Sequence, residues 1–184
     1  MLKGDVTLNS FFIILLIYIL LFITPVMLYL KLKDRVNPLE FLKLSNNIKE
    51  GILKGSFISI LFIIALLIKR IILGGGGAIN FNIGILWISG SLVGIFEEIP
   101  FRGFIFQKLS NNMNFILANL LTTLAFISIH IPLWLLSDVS ILNSIKSVLI
   151  VSLILGYLFK EYKSLWVPII CHSVFNICIW IGLA

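Results

Sequence analysis

Apolar residues fill long runs of this chain, and polar residues collect in short segments between them. The first run covers about residues 8–30, close to the roughly 20 residues that a helix needs to span a bilayer. A signal peptide has a shorter core and a small-residue cleavage site, so this run predicts a retained transmembrane helix. Pro25 is placed to kink it. The main polar stretch follows, with Lys31, Lys33, Arg35, Lys43, Lys49 and Lys54. Phe41, Leu42, Leu44 and Ile48 give part of it an apolar stripe, which predicts an interfacial helix. Further spans are predicted over about residues 52–73, 81–109, 114–131 and 141–159, with a last one from about 165 to the C-terminus. Gly74 to Gly77 predict a flexible break, and Pro132 a stop to the fourth span. The pattern implies an all-α polytopic membrane bundle of about six transmembrane helices. Residues 1–80 form an N-terminal pair with a basic loop, and residues 81–184 form a four-helix core.

Composition agrees. Hydrophobic residues make up 60% of the 184 and charged residues 12%, against about 45–50% and 25% in soluble domains. A soluble fold of this size cannot hide so much apolar surface; a bilayer can. The net charge of +6 does not point to nucleic acid, because no basic stripe or aromatic platform accompanies it. The basic residues sit between apolar runs, as loops beside anionic lipid do. Nine lie in the first, third and fifth loops and four on the other side, which predicts both termini outside. Cys171 and Cys178 are seven residues apart in one run, roughly 10 Å along a helix and too far for a disulfide.

Charges inside spans need a reason, because each costs about 2.5–3.5 kcal/mol to insert. The third span reads Gly94-Ile95-Phe96-Glu97-Glu98-Ile99-Pro100-Phe101-Arg102-Gly103. Glu98 and Arg102 have the spacing and order of a helical ion pair. Glu97 is turned about 100° away and is free to act. Pro100 gives no hydrogen bond to the Phe96 carbonyl, which loosens the helix beside Glu97. His130 ends the fourth span, with Phe126 one turn earlier on the same face. His172 and Asn176 share a face of the sixth. Any one of these residues alone has an ordinary structural reading, as interhelical glue or an architectural pair. Their convergence from three spans favours a site.

That set suits hydrolysis. A carboxylate drawn out of water is a better base. Glu97 could take a proton from water held or shared by His130. His172 and Asn176 could donate hydrogen bonds to the oxyanion of a tetrahedral intermediate. A rival chemistry makes Glu97, His130 and His172 ligands of one zinc ion with water in the open position. No His-Glu-x-x-His, Gly-x-Ser-x-Gly or phosphate-loop motif is present.

At these residues the chain resembles the CAAX prenyl protease and bacteriocin-processing (CPBP, or Abi) family of intramembrane proteases. Its pattern is Glu-Glu-x-x-x-Arg, then Phe-x-x-x-His, then His-x-x-x-Asn or Asp. Here those read Glu97-Glu98 to Arg102, Phe126 to His130, and His172 to Asn176. Phe101-Arg102-Gly103 and Ser164-Leu165-Trp166-Val167-Pro168 also look like the family. The likeness covers about Trp87 to the C-terminus; the first two spans are generic. It implies an intramembrane endopeptidase. Glu97 and His130 would activate water, His172 and Asn176 would stabilise the oxyanion, and Glu98, Arg102 and Phe126 would support them. Family members are described both as metalloproteases and as metal-free glutamate proteases. Asn176 is a poor zinc ligand and a good oxyanion donor, which favours the metal-free form with no cofactor. Pro100 departs from the hydrophobic residues common there. The implied substrate is a peptide or protein in or at the membrane, with no prenyl group inferred, and bacterial-type members are linked to peptide processing and bacteriocin immunity. The Ile/Lys/Asn-rich composition suggests a bacterial plasma membrane. Two other readings remain: a non-catalytic immunity factor or scaffold of the same fold, and a transporter with Glu97, Glu98 and the histidines as a proton relay.

Overall fold

The structure, a computed structural model, describes residues 8–73, 78–137 and 139–183. The predicted glycine break at Gly74 to Gly77 lies outside the described residues, as does Lys3. Among the described residues all regular structure is helical. Helix α1 runs Leu8–Lys33, α2 is the short Pro38–Phe41, and α3 is Ile48–Leu73. Helix α4 covers 86–110. Then come α5 at Phe115–Leu135, α6 at Ile141–Tyr162 and α7 at Trp166–Trp180.

Helical runs stand where the apolar pattern predicts them. Length and composition qualify four as membrane spans: Leu8–Lys33, Ile48–Ile72, Phe115–Leu135 and Ile141–Tyr162. The other two predicted spans do not qualify. Helix α4 carries Glu97, Glu98, Arg102 and Lys108, and α7 has 15 residues. Leu53, Phe57, Ile71, Ile116, Leu142 and Ile150 point outward and are exposed. Apolar surface on that scale belongs against lipid rather than water, and the chain is an integral membrane protein.

Two boundaries differ from expectation. Helix α4 begins at Leu86 rather than near Phe81. Helix α5 runs past Pro132 to Leu135, because a proline inside a helix removes one hydrogen bond, which a membrane helix tolerates. Asn114 caps α5 by accepting from the Leu117 N–H at 2.9 Å. Pro25 lies where α1 returns from π-type turns at Ile19–Ile23 to α-helix.

Helix α7 is the centre of the bundle, held between α3 and α4. Small residues make room for it. Gly51, Gly55 and Ser59 repeat every four positions on α3, and Gly90 and Gly94 do so on α4. A Cβ at Gly55 would meet the Val167 backbone at 3.2 Å, and one at Gly94 would stand 2.6 Å from the Ile169 carbonyl oxygen. Such small-xxx-small spacing lets helix backbones approach in a membrane, where apolar burial alone gives no drive. The largest core cluster joins Val26 and Leu30 of α1 to Leu42, Ile99, Phe106, Ala118, Phe159, Leu165 and Ile169. The apolar stripe after α1 is therefore drawn inward: Leu42 is fully buried. The Gln107 amide donates to the Phe41 carbonyl at 2.7 Å and the Trp166 ring N–H to the Leu44 carbonyl at 2.9 Å. These bonds tie the connection between the first two long helices to α4 and α7.

Candidate active site

The site grows from the middle of α4. Regular helix ends at Glu98, and residues Ile99–Phe106 take π-type turns. Pro100 opens that segment, consistent with the missing donor to Phe96. Wider turns of this kind are frequent at functional sites. Glu97, Glu98 and Arg102 are all buried there.

Glu98 and Arg102 form the expected pair, with Arg102 Nη1 donating to Glu98 Oε1 at 2.8 Å. The guanidinium is anchored further: its Nη2 donates to the Ser152 carbonyl at 3.0 Å and to Ser152 Oγ at 2.6 Å. Ser152 Oγ in turn meets Thr123 Oγ1 at 2.9 Å. Charged groups this deep persist only when paired and hydrogen-bonded. The same Glu98 oxygen also lies 2.7 Å from Nδ1 of His172. A carboxylate accepts, so Nδ1 carries the proton, and Glu98 sets the rotation of the His172 ring. A polar chain thus runs from Thr123 and Ser152 through Arg102 and Glu98 to His172, crossing four helices.

His172 presents its other nitrogen to Glu97, with Nε2 at 3.6 Å from Oε2. His130 approaches the same oxygen from α5, Nε2 at 3.9 Å. Its Nδ1 is 2.8 Å from the Phe126 carbonyl, which accepts only, so Nδ1 bears hydrogen and a neutral ring leaves Nε2 as acceptor. Separations of 3.6–3.9 Å exceed a direct hydrogen bond, and a water bonded to both groups would sit to one side of the line between them. Glu97 and His172 side chains are about 5–6% exposed and His130 20%, so His130 is the wetter edge.

Phe126 is the packing hub. Its ring touches His130 at 4.6 Å, His172 at 5.8 Å and Phe101 at 4.9 Å between centroids. The Arg102 guanidinium lies 4.9 Å over its face. Trp134 backs His130 at 5.5 Å. The structure therefore brings together Glu97, Glu98, Arg102, Phe126, His130 and His172. Asn176 stands one turn beyond His172, half-buried, and no hydrogen bond to its side chain exists among the described residues. One neighbour had no signal in the pattern: the Tyr18 hydroxyl of α1 donates to Glu97 Oε1 at 3.2 Å. In a run of apolar residues that tyrosine reads as generic.

A metal would need Glu97, His130 and His172. Zinc with bonds near 2.0–2.1 Å sets its ligand atoms about 3.3 Å apart, closer than the 3.6 and 3.9 Å that separate the two imidazole nitrogens from Glu97 Oε2. Among the described residues no group of three or more His, Cys, Asp or Glu has the geometry to hold a metal ion.

A family model described as Type II CAAX prenyl endopeptidase Rce1-like matches residues 79–178. The match covers more than half of the chain and every residue of this cluster except Tyr18. No curated protein and no solved structure matches the chain. The acids, the arginine and both histidines of the cluster lie inside the matched segment, and the chain belongs to the Rce1-like family of type II CAAX prenyl endopeptidases.

Proposed function

We propose that the chain is an intramembrane endopeptidase that cleaves membrane-associated peptides or proteins with a water activated by Glu97. The observation that carries this reading is the meeting of two imidazole nitrogens on one carboxylate oxygen, at 3.6 and 3.9 Å. A water between them has a hydrogen for Glu97 Oε2 and a hydrogen for His130 Nε2. Glu97 takes the first as the oxygen attacks the scissile carbonyl. The carbonyl oxygen gains the negative charge, and the tetrahedral intermediate forms. The proton on Glu97 then passes to the leaving amine, the C–N bond breaks, and acid and amine products separate.

His172 and Asn176 stabilise that oxyanion in this scheme. The Nδ1–H of His172 already donates a hydrogen bond to Glu98. To donate from Nε2 as well, it must carry both protons when the oxyanion forms, and the Glu98 carboxylate stabilises that cation. Asn176 brings an uncommitted amide to the same helix face. No Ser or Cys nucleophile and no metal step is needed. Family membership supports a CAAX-type protease.

The roles are tested by His172→Ala and Asn176→Ala in detergent-solubilised protein on quenched peptides. Loss of one oxyanion donor lowers kcat by about 10²–10³-fold with little change in KM. A rise in KM at unchanged kcat would place these side chains in substrate binding instead.

A further inference from the structure

We infer that Tyr18, from the first apolar helix, is a positioning residue for Glu97. The inference rests on the protease reading above, and the first helix thereby becomes part of the active site. Tyr18 donates to Glu97 Oε1 at 3.2 Å, the single hydrogen bond to that carboxylate among the described residues. His130 and His172 reach only the opposite oxygen, at distances too long for direct bonds. Glu98 and Arg102 bond each other and His172 rather than Glu97. A base has to hold its acceptor oxygen on the water. With Oε1 tethered, rotation of the carboxylate stops, and Oε2 faces the two Nε2 atoms.

The local structure supports a placed tyrosine rather than a passing contact. The Tyr18 ring stacks on Phe22 at 5.4 Å and lies against Phe96 at 5.6 Å. Phe96 is the neighbour of Glu97, so the tether is braced on both sides. Leu8–Tyr18 contains no buried residue, while Val26 and Leu30 further along α1 are in the core. Tyr18 itself is half-buried, and π-type turns begin at the next residue. A partly open apolar cavity of about 180 Å³ lies beside it, with Leu15, Val93, Phe96 and Trp180 in its lining. The bond is longer than the usual O–H···O length of about 2.7–2.8 Å, as catalytic hydrogen bonds are before substrate binds.

Tyr18→Phe separates the hydroxyl from the ring. In detergent, kcat is expected to fall roughly 10-fold with KM within about twofold, and the unfolding temperature to stay at the wild-type value. Tyr18→Ala loses the ring contacts too and serves as the structural comparison. Wild-type kcat in Tyr18→Phe, with Glu97→Gln inactive, would overturn the positioning role and leave the protease reading intact. If wild type cut no more than Glu97→Gln, the protease reading would fail by itself. The tether is then read by infrared spectroscopy. The Glu97 carboxylate band, identified by its absence in Glu97→Gln, is expected to shift in Tyr18→Phe. An unshifted band would overturn the inference.

Discussion

Changing Glu98 to glutamine removes one charge and replaces one oxygen. Glu98 Oε1 accepts from Arg102 at 2.8 Å and faces His172 Nδ1 at 2.7 Å, while Oε2 has no hydrogen-bond partner among the described residues. A glutamine carbonyl can take the Oε1 position and keep both bonds, with its amide where Oε2 was. Contacts survive and charge does not. Charge-assisted bonds are roughly twice as strong as neutral ones, and removing one partner of a buried pair costs about 3–5 kcal/mol. With its bonds retained, Glu98→Gln should lose about 2–3 kcal/mol. Arg102→Met leaves the buried Glu98 carboxylate with His172 in place of a full countercharge and breaks the Ser152 bonds, so about 3–5 kcal/mol is expected. At roughly 2–4 °C per kcal/mol for a chain of this size, the unfolding temperature falls by about 4–12 °C and 6–20 °C. The double variant buries no lone charge, and its loss should be smaller than the sum of the two. Its kcat should stay low, because the Glu98 charge that supports a doubly protonated His172 is gone. Thermal unfolding in detergent and steady-state cleavage measure both quantities. Strictly additive stability losses, or a double variant with wild-type kcat, would refute the reasoning.

Gly94→Ala puts a methyl against the Ile169 carbonyl oxygen, at 2.6 Å before relaxation. It should lose about 1–3 kcal/mol of stability and, by pushing α7 outward, lower kcat; a wild-type melting curve would contradict the close-approach argument. Ser152→Ala removes one of the two Ser152 contacts to Arg102 and should cost about 1–2 kcal/mol in thermal unfolding, with kcat falling less than in Arg102→Met. A metal chelator should leave peptide cleavage unchanged, whereas loss restored by added zinc would make Glu97, His130 and His172 ligands.

Much of the candidate site was legible because charge is expensive in an apolar run. Glu97, Glu98, Arg102, His130 and His172 stand out for that reason, and four-residue spacing paired Glu98 with Arg102 as the structure has it. The same spacing set Phe126 beneath His130, which their ring contact bears out. The link from Glu98 to His172 joins residues 74 positions apart, and no local rule reaches that far. Tyr18 was hidden for another reason: aromatic residues are ordinary in apolar helices, so its hydroxyl gave no contrast. The glycines on α3 and α4 have a readable spacing, but only the fold names α7 as the helix they admit. Span counting was limited by the site itself, since the charges that mark α4 also disqualify it as an apolar span. The stop expected at Pro132 failed because α5 continues to Leu135.

The most direct measurement compares wild type with Glu97→Gln, both folded in detergent, on a quenched peptide library. The account predicts cleavage by wild type and a loss of at least about 10³-fold in the variant. Equal cleavage by the two proteins would contradict the claim that Glu97 activates the water.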